Sequence, residues 1–589
     1  MNISEVWTPA LALVSLPVGK VRVFKSGRHQ VALFRPTEDD IYAVDNRCPH
    51  EGYPLAQGYV KGCVLTCAWH NFKFDLRDGT CLMGDENLTT WPVRIRDGQV
   101  EICLREVDRQ ADRPRHMASL KTALVDYRPG QVAREVARLL ELGEDPVELC
   151  FQAAAWDAQY AEYGTTHTLP LATDILRFLP RYQGLRATLP LAQLFEVAAD
   201  PSRRSHPRQV PDVEDVTGDA AATGEEIRRR VEAEESTRAE ALLRGALARG
   251  WGRAEMEPWF FELCADHFLD FGHALIYQIK MVDLLERVGW HRAVEVLPAY
   301  LHSIAVGTRE DTLPYMAGYR RRLAQNGDEF PRWYEGLGRR PLPREERDHA
   351  VLSLLDGETS DAFAAMVNLL ERGTPGEEIC DVLTLAAAQR MLRFNWAIDL
   401  NPGIQNDWLS VSHLLTFANA VRQAFHRWKS PVVLRFFLQA TRFINDARTL
   451  DLEPEARGGI SRVGTGLLPE VRLKLLSGAL LHHHEDVAMG VVQAWLEEGQ
   501  PLDMLRDFLQ DVGLSDSATR SIVVAHIIKT TVAAWDEFDT LGGNSDAYPV
   551  LLAVVRLAAS PRRERRITQV ATEAIRFVGE GLTPHKLAE

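Results

Sequence analysis

Two short segments carry the residues best suited to holding a metal. The first is Cys48-Pro49-His50 and the second is Cys67-Ala68-Trp69-His70, with sixteen residues between them. Each segment offers one thiolate and one imidazole. Zinc also accepts two cysteines and two histidines, but zinc fingers usually pair Cys with Cys and His with His. Mixed pairs suit a [2Fe-2S] cluster, in which two thiolates hold one iron and two imidazoles hold the other. On this reading the chain carries electrons over at least part of its length, with zinc as the alternative occupant.

Such loops need a rigid support. Val21 and Val23, Val31 and Leu33, and the runs Ile41–Val44, Val93–Ile95 and Val100–Ile102 have the alternation of strands. Gly27, Gly79 and Gly98 punctuate them, the last two in Asp-Gly turn signals. The pattern predicts a small antiparallel β domain with both ligand loops at one tip. Cys63 and Cys81 match no ligand position and read as packed small residues.

Residues 5–105 resemble a Rieske ferredoxin-type domain. The resemblance rests on the ligand pattern, on the run Trp69-His70-Asn71-Phe72-Lys73-Phe74-Asp75, and on Trp91-Pro92-Val93-Arg94-Ile95. It implies that Cys48 and Cys67 hold one iron and that His50 and His70 hold the other. The high-potential branch usually links its ligand loops by a disulfide. Here Tyr53 and Trp69 stand at those positions, so the resemblance is to the soluble, oxygenase-associated branch. That implies a potential in the lower part of the roughly −150 to +300 mV range of such clusters. Asn71 stands where glycine is common, and asparagine tolerates a left-handed turn. The third loop, Gly84 to Thr90, lacks the proline often found there.

The 589 residues point to several domains. A net charge of −15 argues against nonspecific nucleic-acid binding. No apolar run is long enough to span a bilayer, and Met1-Asn2-Ile3-Ser4-Glu5 lacks the basic start of a signal peptide. Eight scattered cysteines fit reduced thiols, so the expected location is the cytoplasm.

Beyond the β domain the period becomes helical. Val132, Val136, Leu139 and Leu140 share a face, as do Phe363, Met366, Val367 and Leu370. The expected fold is therefore a small all-β domain (1–105), a charged linker (106–118), and a large all-α region. A Pro/Asp/Ser/Gly-rich stretch from Asp200 to Glu225 reads as a mobile loop. The α region is expected to hold two related units, 119–335 and 345–589. Leu139-Leu140-Glu141-Leu142-Gly143 through Cys150 lines up with Leu369-Leu370-Glu371-Arg372-Gly373 through Cys380. In the same order, His167 pairs with His413 and His273 with His526. These four histidines are the candidate catalytic or second-metal residues, since helical bundles build iron sites from inward-facing side chains. Imidazole with carboxylate suits iron, manganese or zinc. Weaker candidates are His482-His483-His484-Glu485 and the face Asp266/Asp270/His273. For each histidine the plainer reading is a hydrogen-bonded core residue.

The usual ring-hydroxylating Rieske oxygenases carry a His-x4-His pair in a mixed α/β domain, and this chain has no such pair after its β domain. Phe271-Gly272-His273-Ala274-Leu275-Ile276-Tyr277, with Ala299-Tyr300-Leu301-His302, is instead similar to questin oxidase-like proteins. That similarity implies oxygen-dependent chemistry on aromatic polyketides and nominates His273 and His302. The expected function is an oxidoreductase. Electrons from a partner such as a flavin-dependent reductase pass through the cluster to an O2-dependent site, holding additional iron, that oxidises an apolar or aromatic substrate. The alternatives are a redox sensor or a fused ferredoxin whose helical repeat docks other proteins.

Overall fold

The computed structural model describes residues 7–561 except 28, 51, 85, 105–108, 401–406 and 516–519. The chain divides into two compact units, Met1–Gly143 and Glu144–Glu589.

Among the described residues, the first unit holds eleven strands: β1 (Trp7–Ala12), β2 (Lys20–Ser26), β3 (His29–Arg35), β4 (Tyr42–Asp45), β5 (Tyr59–Lys61), β6 (Val64–Thr66), β7 (Lys73–Asp75), β8 (Cys81–Met83), β9 (Thr90–Trp91), β10 (Val93–Arg96) and β11 (Gln99–Cys103). They form three sheets, ordered β1-β11-β10, β2-β3-β4-β9 and β5-β6-β7-β8. Every pairing is antiparallel. Strand β3 explains how the sheets meet. Its alternate residues point to opposite faces, and both faces are buried. Val31 and Leu33 pack with Val100 and Ile102, while Ala32 and Phe34 pack with Leu65, Phe74, Cys48 and Cys67. The ligand cysteines are thus part of an apolar core.

The segment read as a linker is helical from Arg109. Helix α1 (Arg109–Val125) and helix α2 (Pro129–Glu141) form a hairpin within this unit. Val132, Val136 and Leu139 are buried as their spacing predicts. What the charged sequence hides is a set of ion pairs: buried Glu86 accepts from Arg134 and Arg138, and Glu135 meets His116 at 2.6 Å.

The second unit is helical among its described residues apart from isolated bridges. The expected mobile loop is smaller than its composition suggests. A helix already begins at Ala220, and the irregular stretch before it is tied down. Arg208 pairs with buried Glu240, and the Glu214 amide donates to the Ala241 carbonyl. No described helix is long and apolar enough to cross a membrane.

Candidate metal centres

In the first unit, the loop after β4 carries Cys48 and His50, and the β6–β7 turn carries Cys67 and His70. Backbone hydrogen bonds set both loops. The Cys48 amide donates to the Tyr53 carbonyl at 2.9 Å, and the Cys67 amide to the Phe72 carbonyl at 2.8 Å. Cys48 and Cys67 are buried and form no disulfide. His70 is exposed and His50 half-buried, their ring centroids 4.8 Å apart. Two buried thiols beside two converging imidazoles at the surface fit a [2Fe-2S] cluster. A cluster held there would have its histidine side toward solvent.

Three details finish this tip. Asn71 has a φ of 63°, the left-handed turn expected of it. The rings of Tyr53 and Trp69 stack at 5.8 Å, tying the two loops where a disulfide could have stood. Phe72, which the sequence reading passed over, stacks on His50 at 4.5 Å. Gly84 makes room for it, because a Cβ there would lie 2.1 Å from Phe72 Cδ1.

In the second unit the four paired histidines come together. His167 precedes the helix Thr168–Leu176, and His273 begins His273–Val288. His413 lies within Trp408–Arg427, and His526 within Ser521–Thr540. His273 Nε2 is 2.7 Å from His413 Nε2, and His526 Nε2 is 3.2 Å from His413 Nε2. Ring centroids of His167 lie 4.7 Å from those of both His273 and His526. One ligand atom from each of His167, His413 and His526 lies within 4.8 Å of the others. Two nitrogens held about 2.0 to 2.1 Å from one ion sit about 2.8 to 3.4 Å apart in octahedral or tetrahedral geometry. The His413–His526 distance falls in that range, and His273 needs to withdraw from His413 by about 0.1 Å.

The surroundings aim these rings. His526 Nδ1 meets the Ile522 carbonyl at 2.6 Å, which leaves Nε2 facing inward. His167 Nδ1 meets the Tyr277 hydroxyl at 3.3 Å, while its buried Nε2 has no hydrogen-bond partner among the described residues. Fully buried Asp157 fixes the loop before His167. It accepts from the Thr166 amide at 2.8 Å and from the hydroxyls of Thr165 and Thr166. Before His273 the chain passes through three left-handed residues, Asp270 (φ 45°), Phe271 (φ 58°) and Gly272 (φ 84°). Asp270 holds this kink through the Thr308 amide, and Glu310 through the Phe271 amide. Burial holds the pKa values of His167 and His413 far below the usual imidazole range, and that of His273 down at about 3. The nearby Lys529 charge acts in the same direction on all three. Neutral imidazoles are metal ligands, so the donor set fits a transition metal.

The other candidates lie elsewhere. Asp266, Asp270 and His273 do not share a helix face, because extended backbone at His267 ends the preceding helix at Asp266. Asp266 is taken up by Arg228 and Arg435. His482, His483 and His484 form an exposed turn between two helices. His302 is half-buried on the helix Leu297–Val306, outside the cluster. Tyr277 and Lys529 were not foreseen. The signal available was position, since Tyr277 is one turn from His273 and Lys529 one turn from His526.

The Rieske [2Fe-2S] domain family matches residues 6–92. The chain is 33% identical over 103 residues to the ferredoxin component of a naphthalene 1,2-dioxygenase system from Pseudomonas aeruginosa, covering 17% of this chain and 98% of that protein. It is 49% identical over 81 residues to a 4β-methylsterol monooxygenase from Methylococcus capsulatus, covering 12% of this chain and 22% of the relative. Among solved structures, the ferredoxin of carbazole 1,9a-dioxygenase from Nocardioides aromaticivorans aligns with 22% identity and a TM-score of 0.16, covering 17% of this chain and 98% of that one. The family match and the likeness to the naphthalene dioxygenase ferredoxin component place the chain, through its N-terminal domain, in the Rieske [2Fe-2S] family.

Proposed function

We propose that the protein is an oxidoreductase in which electrons received at the N-terminal site are used at a second metal, iron, held by His167, His273, His413 and His526, to oxidise an apolar substrate with O2. When bound, the [2Fe-2S] cluster supplies one-electron transfer. The observation that carries the reading is the convergence of four imidazoles from four separated segments, three of them held neutral by burial. Hydrogen bonds account for the Nε2 pairs at 2.7 and 3.2 Å one at a time, but the gathering of all four rings, with the buried His167 Nε2 left unpartnered among the described residues, favours a shared ion. Imidazole ligation suits iron among the redox metals.

A small pocket of about 20 Å³ adjoins the histidines, and its lining bears on the substrate class. Phe271, Val411, Leu414, Phe443 and Leu450 line it, with Tyr315 and Asp446 at its polar side. Phe271 stacks on His413 at 5.9 Å, so the pocket wall and a ligand ring share one contact. At that size it has room for about one water, so a substrate would have to part these walls, whose apolar lining favours an apolar molecule. A reductase is the expected electron donor. Duplication is supported by paired features: left-handed glycines at Gly143 and Gly373, and left-handed turns at Glu234 and His483.

Metal analysis of the full chain tests this reading. The expected result is iron above two per chain, falling to two in His413→Ala with acid-labile sulfide unchanged. Two irons in both proteins would leave a docking scaffold as the better account.

A further inference from the structure

On the side of the histidine cluster facing Asp174, the second unit buries a group of charges. Lys529 lies one helical turn beyond His526, is 2% exposed, and its Nζ has no hydrogen-bond partner among the described residues. Its charge reaches His167, His273 and His413 on one side. On the other it is coupled to Asp174 and Lys280. Asp174 accepts from Lys280 Nζ at 2.6 Å through Oδ1, while its buried Oδ2 has no hydrogen-bond partner among the described residues. Asp174, Lys280 and Lys529 line one small inner pocket together with Thr416 and Asn419. Asp174, Lys280 and Asn419 also line a wider cavity of about 340 Å³, whose rim carries Arg177, Arg287, Arg427, Asp283 and Asp536. Polar groups thus line both pockets, from a charged mouth inward to Lys529.

We infer that Asp174, Lys280 and Lys529 form a proton-delivery path from the charged cavity to the four-histidine site, with Lys529 as its last member. The inference rests on the oxidase reading above. Inserting one oxygen atom of O2 into a C–H bond takes up two electrons and two protons and releases one water. The electrons come singly from the N-terminal site. The protons must come from solvent. Burial lowers the Lys529 pKa from the usual lysine value to about 7, with Lys280 adding to the shift and Asp174 opposing it. An amine poised there both gives and regains a proton near neutral pH. A lysine with a purely structural role would be expected to donate to a carbonyl or carboxylate.

The test uses the full-length protein with its iron, reduced anaerobically and mixed with oxygenated buffer in a stopped-flow instrument. Reoxidation in His413→Ala gives the background from the [2Fe-2S] site alone. Above that background, Lys529→Met is expected to slow reoxidation by roughly 10- to 100-fold while iron and sulfide content stay at wild-type values. Lys529→Ala should behave alike and recover with added ethylamine, an amine smaller than the side chain removed. A Lys529→Met rate within about twofold of wild type, at equal iron content, overturns the path and leaves the metal reading intact. A Lys529→Ala rate that ethylamine does not raise also overturns it. A wild-type protein holding only the two irons of the cluster overturns both.

Discussion

At the scale of single residues, two glycines decide whether ligand rings reach their places. Gly84 lies under Phe72, which stacks on His50, and its φ of 132° suits glycine alone. Gly84→Ala is expected to push Phe72 off His50 and to cost about 1 to 3 kcal/mol of local strain. The check is the half-life of acid-labile sulfide and the EPR signal of the reduced cluster, both of which should deteriorate. Gly272 has the same role for His273. Its φ is 84°, and a Cβ there would lie 2.3 Å from Phe417 Cδ2. Gly272→Ala should weaken second-metal binding by at least about tenfold, the equivalent of about 1.4 kcal/mol of displaced geometry. Competition with a chelator measures this, and the [2Fe-2S] signal should not change.

At the scale of elements, the His413 and His526 helices are locked in register by a buried ion-pair network. Glu537, fully buried, accepts from Arg422 at 2.8 Å, from Asn419 at 2.9 Å and from Thr384 at 2.7 Å. Arg422 also reaches Asp381 at 2.9 Å. Removing one partner of such a pair strands the other charge in an apolar interior. Glu537→Ala is therefore expected to lower the unfolding free energy of the helical unit by about 3 to 5 kcal/mol, read from a urea transition. Loss of the second metal should accompany it, because the two helices contribute His413 and His526.

At the scale of the whole molecule, two compact units imply separate cooperative transitions. Calorimetry of the full chain should resolve two. Metal bound to a folded site stabilises that site in proportion to its affinity. His413→Ala is thus expected to lower only the transition of the unit Glu144–Glu589, leaving that of Met1–Gly143 in place. A single transition shifted as a whole by that substitution would contradict this division.

Much of the first unit was legible in the residues themselves. Ligand type and spacing, alternation in the strands and the left-handed asparagine are local features, and local sterics fix them wherever the rest of the chain lies. The same holds for the apolar faces at Val132 and Phe363. Pairing the four histidines by internal likeness was also possible from the chain alone. What the sequence does not contain is their convergence. Residues 167, 273, 413 and 526 meet because four helices pack side by side, and that packing follows from apolar surface summed over many residues. The carboxylates show the converse. Asp266 and Asp270 have ligand-like spacing on paper, but a break at His267 and the nearby Arg228 and Thr308 claim them for structure. Lys529 was silent for the same reason, since an amine becomes unusual only once an interior closes around it. The chain thus nominates by itself Cys48, His50, Cys67 and His70 as the residues to hold a [2Fe-2S] cluster. Tertiary packing alone decides that the four histidines meet, because their proximity is a property of the assembled core.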